Sequence, residues 1–473
     1  MTPPGPHANP TRFARLRTAA AACCLAGLIL PGLSLQTGCT SKPEVAPPPA
    51  SGAYRIATFN TALSRSDPDA LRSALSMGDD PQAAAIAEVI QRVRPDVLLL
   101  QEFDHDPSGQ SLDRFVQLYL RKAQAKGLEP IDYPYTFVPY VNTGQPSGVD
   151  LDQDGSTTGP GDAYGWGAFE GQYGMVLLSR LPIDAQGIRT FRNLRWTQMP
   201  EAGPPSDAYP QQAVDRLRLS SKTHADVPLL IGDRVLHILM SHPTPPVFDG
   251  PEDRNGVRNR DEIRLWAEYL TRAPDRLTRE WMVDDAGVPG RLPQDALFVI
   301  LGDLNADPFD GESLPDSIAR LLNHPRVNHS RIPESEGAVQ AAEAQLGANA
   351  SHQGPASQDT ADWNDTPGQG SGNLRVDYVL PSRGLLPTGA GVFWPEPGGK
   401  LQHLLDASDH RLVWLDVQAP AVSVVDLGRP PTPQIAPSAI RNVGWSPDNS
   451  DSLRRYDAGW NPLYDRNADA DTP

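Results

Sequence analysis

The chain has 473 residues, 39% of them hydrophobic, and a formal net charge of −17 at pH 7. That is enough apolar material for a sizeable core. The acidic balance, with no long Lys/Arg run, excludes a long-range basic field of the kind that draws in polyanions. The three cysteines, Cys23, Cys24 and Cys39, all precede the first strand-like run, which excludes a disulfide framework in the globular part.

Residues 1–39 read as an export signal. Arg12, Arg15 and Arg17 form a positive start, and 19–35 is mostly apolar with small residues. Leu35-Gln36-Thr37-Gly38-Cys39 resembles a bacterial lipoprotein cleavage site, which makes Cys39 the candidate lipidated residue and a point of membrane attachment. Gln36 stands where that pattern usually has Leu, so a plain secretory signal or a single anchoring helix are the alternatives. Pro31 and Gly32 shorten the apolar run and count against a spanning helix. The expected location is periplasmic or cell-surface. Residues 40–53 are rich in Pro, Ala and Ser and predict an extended, unpacked tether.

One domain is expected over 54–419. Its predicted strands are 54–60, 96–102, 173–179, 235–242, 296–303, 374–380 and 410–417, each marked by an apolar run. Asp80-Pro81 supplies an N-cap and first-turn signal, Ile86, Val89, Ile90 and Val93 follow at helical spacing, and Pro95 stops the helix. A second helix is expected at 261–270, with Ile263, Trp266 and Leu270 on one face. Residues 420–473 form a Pro/Asp-rich tail whose Trp445, Trp460 and Tyr464 favour some docking. No internal repeat and no obligate protein partner is evident, and a monomer is expected.

Polar clusters sit at the ends of these strands: Asn60, Gln101-Glu102, Ser241-His242, Asp303-Leu304-Asn305, Arg375-Val376-Asp377 and Ser408-Asp409-His410. Polar groups aimed off a rigid sheet are where sites are built. Hard divalent cations need oxygen ligands, of which one or two carboxylates suffice for Mg²⁺. Phosphoryl transfer further needs an oriented water, charge on the non-bridging oxygens and help for the leaving oxygen. Taken singly, Asp303 and Asn305 read equally as turn residues.

Thr58-Phe59-Asn60, Leu100-Gln101-Glu102, Gly174 to Ser179, Gly302-Asp303-Leu304-Asn305, Val376-Asp377-Tyr378 and Ser408-Asp409-His410 together resemble the ordered motifs of the endonuclease/exonuclease/phosphatase superfamily. That group includes deoxyribonucleases, abasic-site endonucleases, neutral sphingomyelinases and inositol-polyphosphate 5-phosphatases. The resemblance implies an α/β fold, a four-layer α/β/β/α sandwich with two central mixed β-sheets. It implies Glu102 as ligand to Mg²⁺ or Mn²⁺, with Asn60 and Asp409 in the metal and phosphate shell. It further implies His410 on the scissile phosphate, oriented by Asp377; Asp303 on the attacking water; Asn305 on the phosphate oxygens; and His242 as proton donor to the leaving oxygen.

Three features stand apart from those motifs. Asp150, Asp152 and Asp154 alternate ahead of Gly155, as in a Ca²⁺-binding loop, although position twelve is Gly161 and not Glu; a solvated acidic loop is the other reading. Arg254 and Arg258, with Arg260, are placed either to clamp a substrate phosphate or to pair with neighbouring acids. Trp166 and Trp363 either stack on a ring or plug a core edge. The function expected is an exported, divalent-metal-dependent phosphoesterase acting on a phosphodiester, with nucleic acid as one candidate substrate. The alternatives are a phosphatase or phospholipase C-like enzyme on inositol phosphates or phospholipids, and a non-catalytic surface lipoprotein. Ala306-Asp307-Pro308 lacks the aromatic-Arg pair of the 5-phosphatases. Specificity is expected in loops 143–171 and 307–372.

Overall fold

The computed structural model of the chain describes residues 45–205, 208–272 and 280–420, with the backbone of 463–465. The expected signal segment, Cys39 and most of the tail lie outside the described residues. Among those described, no helix is long and apolar enough to cross a membrane.

In chain order the strands are β1 (Ala53–Asn60), β2 (Val97–Gln101), β3 (Tyr135–Phe137), β4 (Met175–Ser179), β5 (Arg189–Thr190), β6 (His224–Ile231) and β7 (Arg234–Ser241). Then follow β8 (Leu297–Asp303), β9 (Ala361–Asp362), β10 (Asn373–Leu374), β11 (Asp377–Pro381), β12 (Leu386–Val392), β13 (Val413–Gln418) and β14 (Leu463–Asp465). One sheet has the order β12-β13-β1-β2-β4-β3-β14 and the other β11-β8-β7-β6-β5. Each contains one parallel pair, β1–β2 and β7–β8 respectively, among antiparallel neighbours. Both sheets are therefore mixed, as expected.

Strand periodicity explains the layering. In β2, Val97 and Leu99 point to one face and Leu98 and Leu100 to the other, since successive side chains alternate. Val97 and Leu99 meet Val227, Ile238 and Leu301 of the second sheet in a shared core. Leu98 and Leu100 pack on Ile86, Val89, Ile90 and Val93 of helix Pro81–Val93. On the far face of the second sheet, Phe298 and Ile300 pack on Ile263, Trp266 and Leu270 of helix Arg254–Leu270. The result is the four-layer α/β/β/α sandwich. Each fully buried Leu or Ile in these cores contributes about 2–3 kcal/mol.

Helix Pro81–Val93 begins where Asp80 accepts a hydrogen bond from Ala83 N at 2.8 Å, and it ends at Arg94, whose φ of 56° is left-handed. Helix Arg254–Leu270 starts seven residues before the expected 261. Its first two turns are the arginine-rich stretch, whose polarity hid a helix although Arg is a good helix former. Strand β6 was missed because Pro228 interrupts it. The Pro228 carbonyl accepts from Asp184 N at the sheet's outer side, so its missing N–H faces away from β7 and removes no ladder bond. Strand β12 carries Pro387 and Gly389 at a bulge, which an edge strand tolerates. The expected strand 374–380 is broken: Asn373 and Leu374 pair with β9, and only Asp377 onward joins β8.

The tether is also revised. Ala46 N donates to Arg92 O at 2.9 Å, so the segment is tied to the domain from residue 46, although most of 46–53 stays exposed. Arg55, 1% exposed, is the reason. A buried guanidinium needs acceptors for its donors, and it takes both oxygens of Asp416 together with the carbonyls of Val93 and Pro47. Beyond the expected end of the domain, β14 pairs antiparallel with β3.

Candidate active site

The parallel strands β1 and β2, and β7 and β8, all end at one edge of the sandwich, while the antiparallel β11 begins there and β13 begins just beyond it. This topology gathers residues separated by up to 350 positions. Asn60 closes β1, Glu102 follows β2, His242 follows β7, Asp303 closes β8, Asp377 opens β11 and His410 precedes β13.

Asp303 is the hub, 1% exposed. Its Oδ2 accepts from Asn60 Nδ2 at 3.1 Å and lies 3.3 Å from His242 Nε2 and 3.7 Å from His410 Nε2. Its Oδ1 accepts from Asn305 N at 3.0 Å. Gly302 makes this placement possible: a Cβ there would stand 2.0 Å from the Ser241 carbonyl oxygen, so only glycine lets β8 run this close to β7. Burial opposes the charge on Asp303, but the cationic His410, the His242 contact and Asn60 outweigh it and hold the carboxyl well below the usual range.

His410 Nδ1 donates to Asp377 Oδ2 at 2.9 Å, and the same oxygen accepts from Thr360 Oγ1 at 2.8 Å. Burial works against the imidazolium, yet Asp377 and Asp303 together raise the His410 pKa well above its ordinary value. Asp377, whose second oxygen is buried without a partner, is pushed up by burial to about 6. Asp303, Asp377 and His410 present atoms close enough to hold an ion. Within that group the Nδ1 of His410 is already engaged by Asp377, which leaves its Nε2 facing Asp303. Ser408 locks the far side, donating to Asn60 O at 2.8 Å and accepting from His410 N at 3.0 Å.

Glu102 is half-buried, with Oε1 3.2 Å from Asn60 Nδ2 and Oε2 3.4 Å from Ser64 Oγ. It has a left-handed φ of 55°, as does Asn305 at 52°. Such backbone strain in a non-glycine residue persists only where the surroundings enforce it, and it concentrates at sites. Asn305 Nδ2 donates to Pro243 O at 3.2 Å, which commits one of its donors to the loop after β7. Asp409 is exposed and accepts from Trp363 Nε1 at 3.1 Å, and Trp363 lies edge-on to His410 with centroids 5.4 Å apart. Trp363 therefore borders the site, and Trp166 lies against Tyr173.

His242 is buried, with Nδ1 unpartnered and Nε2 towards Asp303. Burial, then the charge of Lys222, lowers its pKa. The ring is thus oriented on Asp303, with its Nε2 3.3 Å from the carboxylate.

Two of the other expectations need correcting. Arg258 is buried and donates to the carbonyls of Leu219, Tyr164 and Arg218, so its guanidinium braces two loops and is not available to a substrate phosphate. Arg254 pairs with Glu252 at 3.4 Å and lines a depression with Gln153, Ala208 and Pro251, none of them residues of the cluster. In the acidic loop, Asp154 turns to accept from Ser156 N, and Asp162 takes its place beside Asp150 and Asp152.

Sequence reasoning missed Lys222 and Glu262. Lys222 is buried, and its ammonium feels the charges of Glu262, Glu102 and Asp303 against the burial that lowers its pKa. Glu262, on helix Arg254–Leu270, accepts from Ser221 N at 2.6 Å and Thr244 N at 2.6 Å, joining the loop that carries Lys222 to the one that carries His242. Asn259, one turn earlier, ties Thr244 O to Leu304 O. A buried carboxylate and amide on the inner face of a charged helix leave no local sequence signal.

The family model described as Endonuclease/Exonuclease/phosphatase family matches residues 57–410. Among solved structures, an endonuclease/exonuclease/phosphatase from Beutenbergia cavernae DSM 12333 is 15% identical, covering 78% of this chain and 72% of its own, with a TM-score of 0.39. Sphingomyelinase C from Streptomyces griseocarneus is 16% identical over 78% of this chain and 99% of its own, and the human Nocturnin catalytic domain with bound sulfate is 14% identical over 78% and 94%, each with a TM-score of 0.39. No curated protein matches the chain.

Proposed function

The chain belongs to the endonuclease/exonuclease/phosphatase family, whose members hydrolyse phosphoesters, and we propose that it is a divalent-cation-dependent phosphodiesterase, exported by its N-terminal segment. The observation that carries the reading is Asp303, a carboxylate kept ionised at the meeting point of Asn60, His242 and His410. An ionised carboxylate there orients a water and takes its proton as the water oxygen attacks phosphorus and the ester oxygen departs. The charged His410, held by Asp377, and the buried Lys222 supply positive charge to the non-bridging oxygens.

Glu102 and Asp409 are oxygen donors at the open rim, with Asn60 between Glu102 and Asp303, and this hard, partly exposed set fits Mg²⁺ or Mn²⁺. When bound, such a cation supplies Lewis-acid stabilisation of the phosphate charge. The net charge of −17 favours small or short diesters over long polyanions.

The test is turnover by the purified chain of aryl and alkyl phosphodiesters, phosphomonoesters, oligonucleotides and phospholipids, with Mg²⁺, Mn²⁺ or chelator. Diester hydrolysis that stops in chelator is expected; turnover confined to monoesters, or full activity without metal, overturns the proposal. Export rests on residues 1–39, and Cys39→Ser is expected to abolish lipid labelling and release the exported protein from membranes.

A further inference from the structure

We infer that Asp150, Asp152 and Asp162 form a second cation site, one that takes Ca²⁺ and braces the segment 142–172 instead of serving the chemistry. The three carboxylates offer ligand oxygens all within 4.8 Å of one another. The observation that separates this group from an ordinary acidic loop is Asp162. It is only 1% exposed; its Oδ1 accepts from Leu151 N at 2.7 Å, and its Oδ2 is buried with no hydrogen-bond partner. A carboxylate oxygen taken out of water and left unpaired beside two like charges is costly unless a cation compensates it.

The surrounding backbone is shaped around the same point. Gly155 N and Asp154 N donate to the two oxygens of Asp150 at 3.1 Å each, curling the chain over it. A Cβ on Gly161 would stand 2.1 Å from Asp152 Oδ2, so the lack of a side chain there is what lets Asp152 approach the strand of chain leading into Asp162.

The chemistry of the set selects the ion. Three protein carboxylates from a loop, with exposed sides open to water, suit the six to eight oxygens and adjustable geometry of Ca²⁺. Mg²⁺ demands a tighter octahedron and is usually held by one or two carboxylates. The two ends of the braced segment lead to the neighbourhood of the active site. Asn142 N donates to Lys222 O at 3.0 Å, and Gln172 Nε2 to Arg65 O at 2.7 Å, while Ser147 N closes the loop on Asp162 O at 3.0 Å. Ordering this loop therefore helps hold the backbone that carries Lys222.

The experiment is equilibrium dialysis of the full chain with ⁴⁵Ca²⁺ in saturating Mg²⁺, alongside limited proteolysis of the loop with and without Ca²⁺. One tightly held Ca²⁺ per chain is expected in the native protein and in Glu102→Gln, with Ca²⁺ slowing cleavage between 150 and 162. Asp152→Asn, at an exposed position that leaves the fold intact, is expected to weaken binding by about tenfold or more, since one charged ligand is lost. Asp162→Asn should do the same. Displacement of Ca²⁺ by Mg²⁺, unchanged binding in Asp152→Asn, or loss of binding in Glu102→Gln overturns the inference. The last of these would place the ion in the catalytic cluster, and Ca²⁺ binding without diester turnover would sink only the catalytic reading.

Discussion

Replacing Asp303 with asparagine keeps the outline of the side chain and removes the charge on which the hydrolytic reading depends. The native carboxylate receives Asn60 Nδ2 at 3.1 Å, His242 Nε2 at 3.3 Å and Asn305 N at 3.0 Å. An amide offers one acceptor oxygen. If that oxygen stays on Asn305 N, the new NH₂ group confronts the Asn60 and His242 donors. Each buried unpaired donor costs about 1–3 kcal/mol, so with two of them urea unfolding of Asp303→Asn should show a loss of about 2–6 kcal/mol. Catalysis should suffer as well, because loss of a general base costs about 10²–10⁴ in rate, or about 3–5 kcal/mol on the barrier. Steady-state kinetics on a phosphodiester at saturating Mg²⁺ separates the two, with kcat falling and KM changing little. A folded variant that keeps kcat within about tenfold of the native value would refute Asp303 as the water activator, and another group would have to hold the water.

Glu102→Gln removes a charged ligand at the rim; diesterase activity at low Mg²⁺ should fall sharply and recover in part as Mg²⁺ is raised, whereas a loss insensitive to Mg²⁺ would assign Glu102 another role. For His242→Ala, the contact of Nε2 with Asp303 leads us to expect the same factor of loss in kcat/KM for aryl and alkyl esters. A much larger loss with alkyl esters would restore the proton-donor role. His224 is a buried, neutral imidazole between Ser220 Oγ and Glu262 O, its pKa lowered by burial to about 4. The unfolded chain binds this proton first as pH falls, so stability is intact at pH 7 and drains away between pH 6.5 and about 4, by about 3 kcal/mol in all. His224→Gln should flatten that slope in urea unfolding at pH 7 and pH 5, and an unchanged slope would remove the histidine from the account.

The residues that read clearly from sequence were those whose signal is local. The run Val97 to Leu100 is apolar at every position because β2 is buried on both faces, and that pattern survives without knowing what covers it. Asp80-Pro81 carries its own capping chemistry, and the helix begins there. Asn60, Glu102, Asp303, Asp377 and His410 stand at strand ends, where a polar residue interrupts an apolar run and announces itself. The breaks came where partners lie far off. Pro228 hid β6 because a proline's cost depends on which edge its nitrogen faces. Arg258 looked like a phosphate clamp because a sequence shows the charge and not the three carbonyls that use it.

What the sequence alone determined is therefore the alternation of strands and helices, the family resemblance and the kinds of group the site holds. Tertiary structure decided which of those groups meet. Parallel and antiparallel strands had to be set side by side before one edge could bring Asn60 to Asp303 across 243 positions, or Ser408 to Asn60 across 348. The same is true of Asp162, which joins Asp150 and Asp152 only because the chain closes its loop, and of Lys222, whose importance lies in burial beside Glu102 and Asp303. Electrostatic roles of this kind depend on distance and desolvation, and neither is a property of a residue's neighbours in the chain.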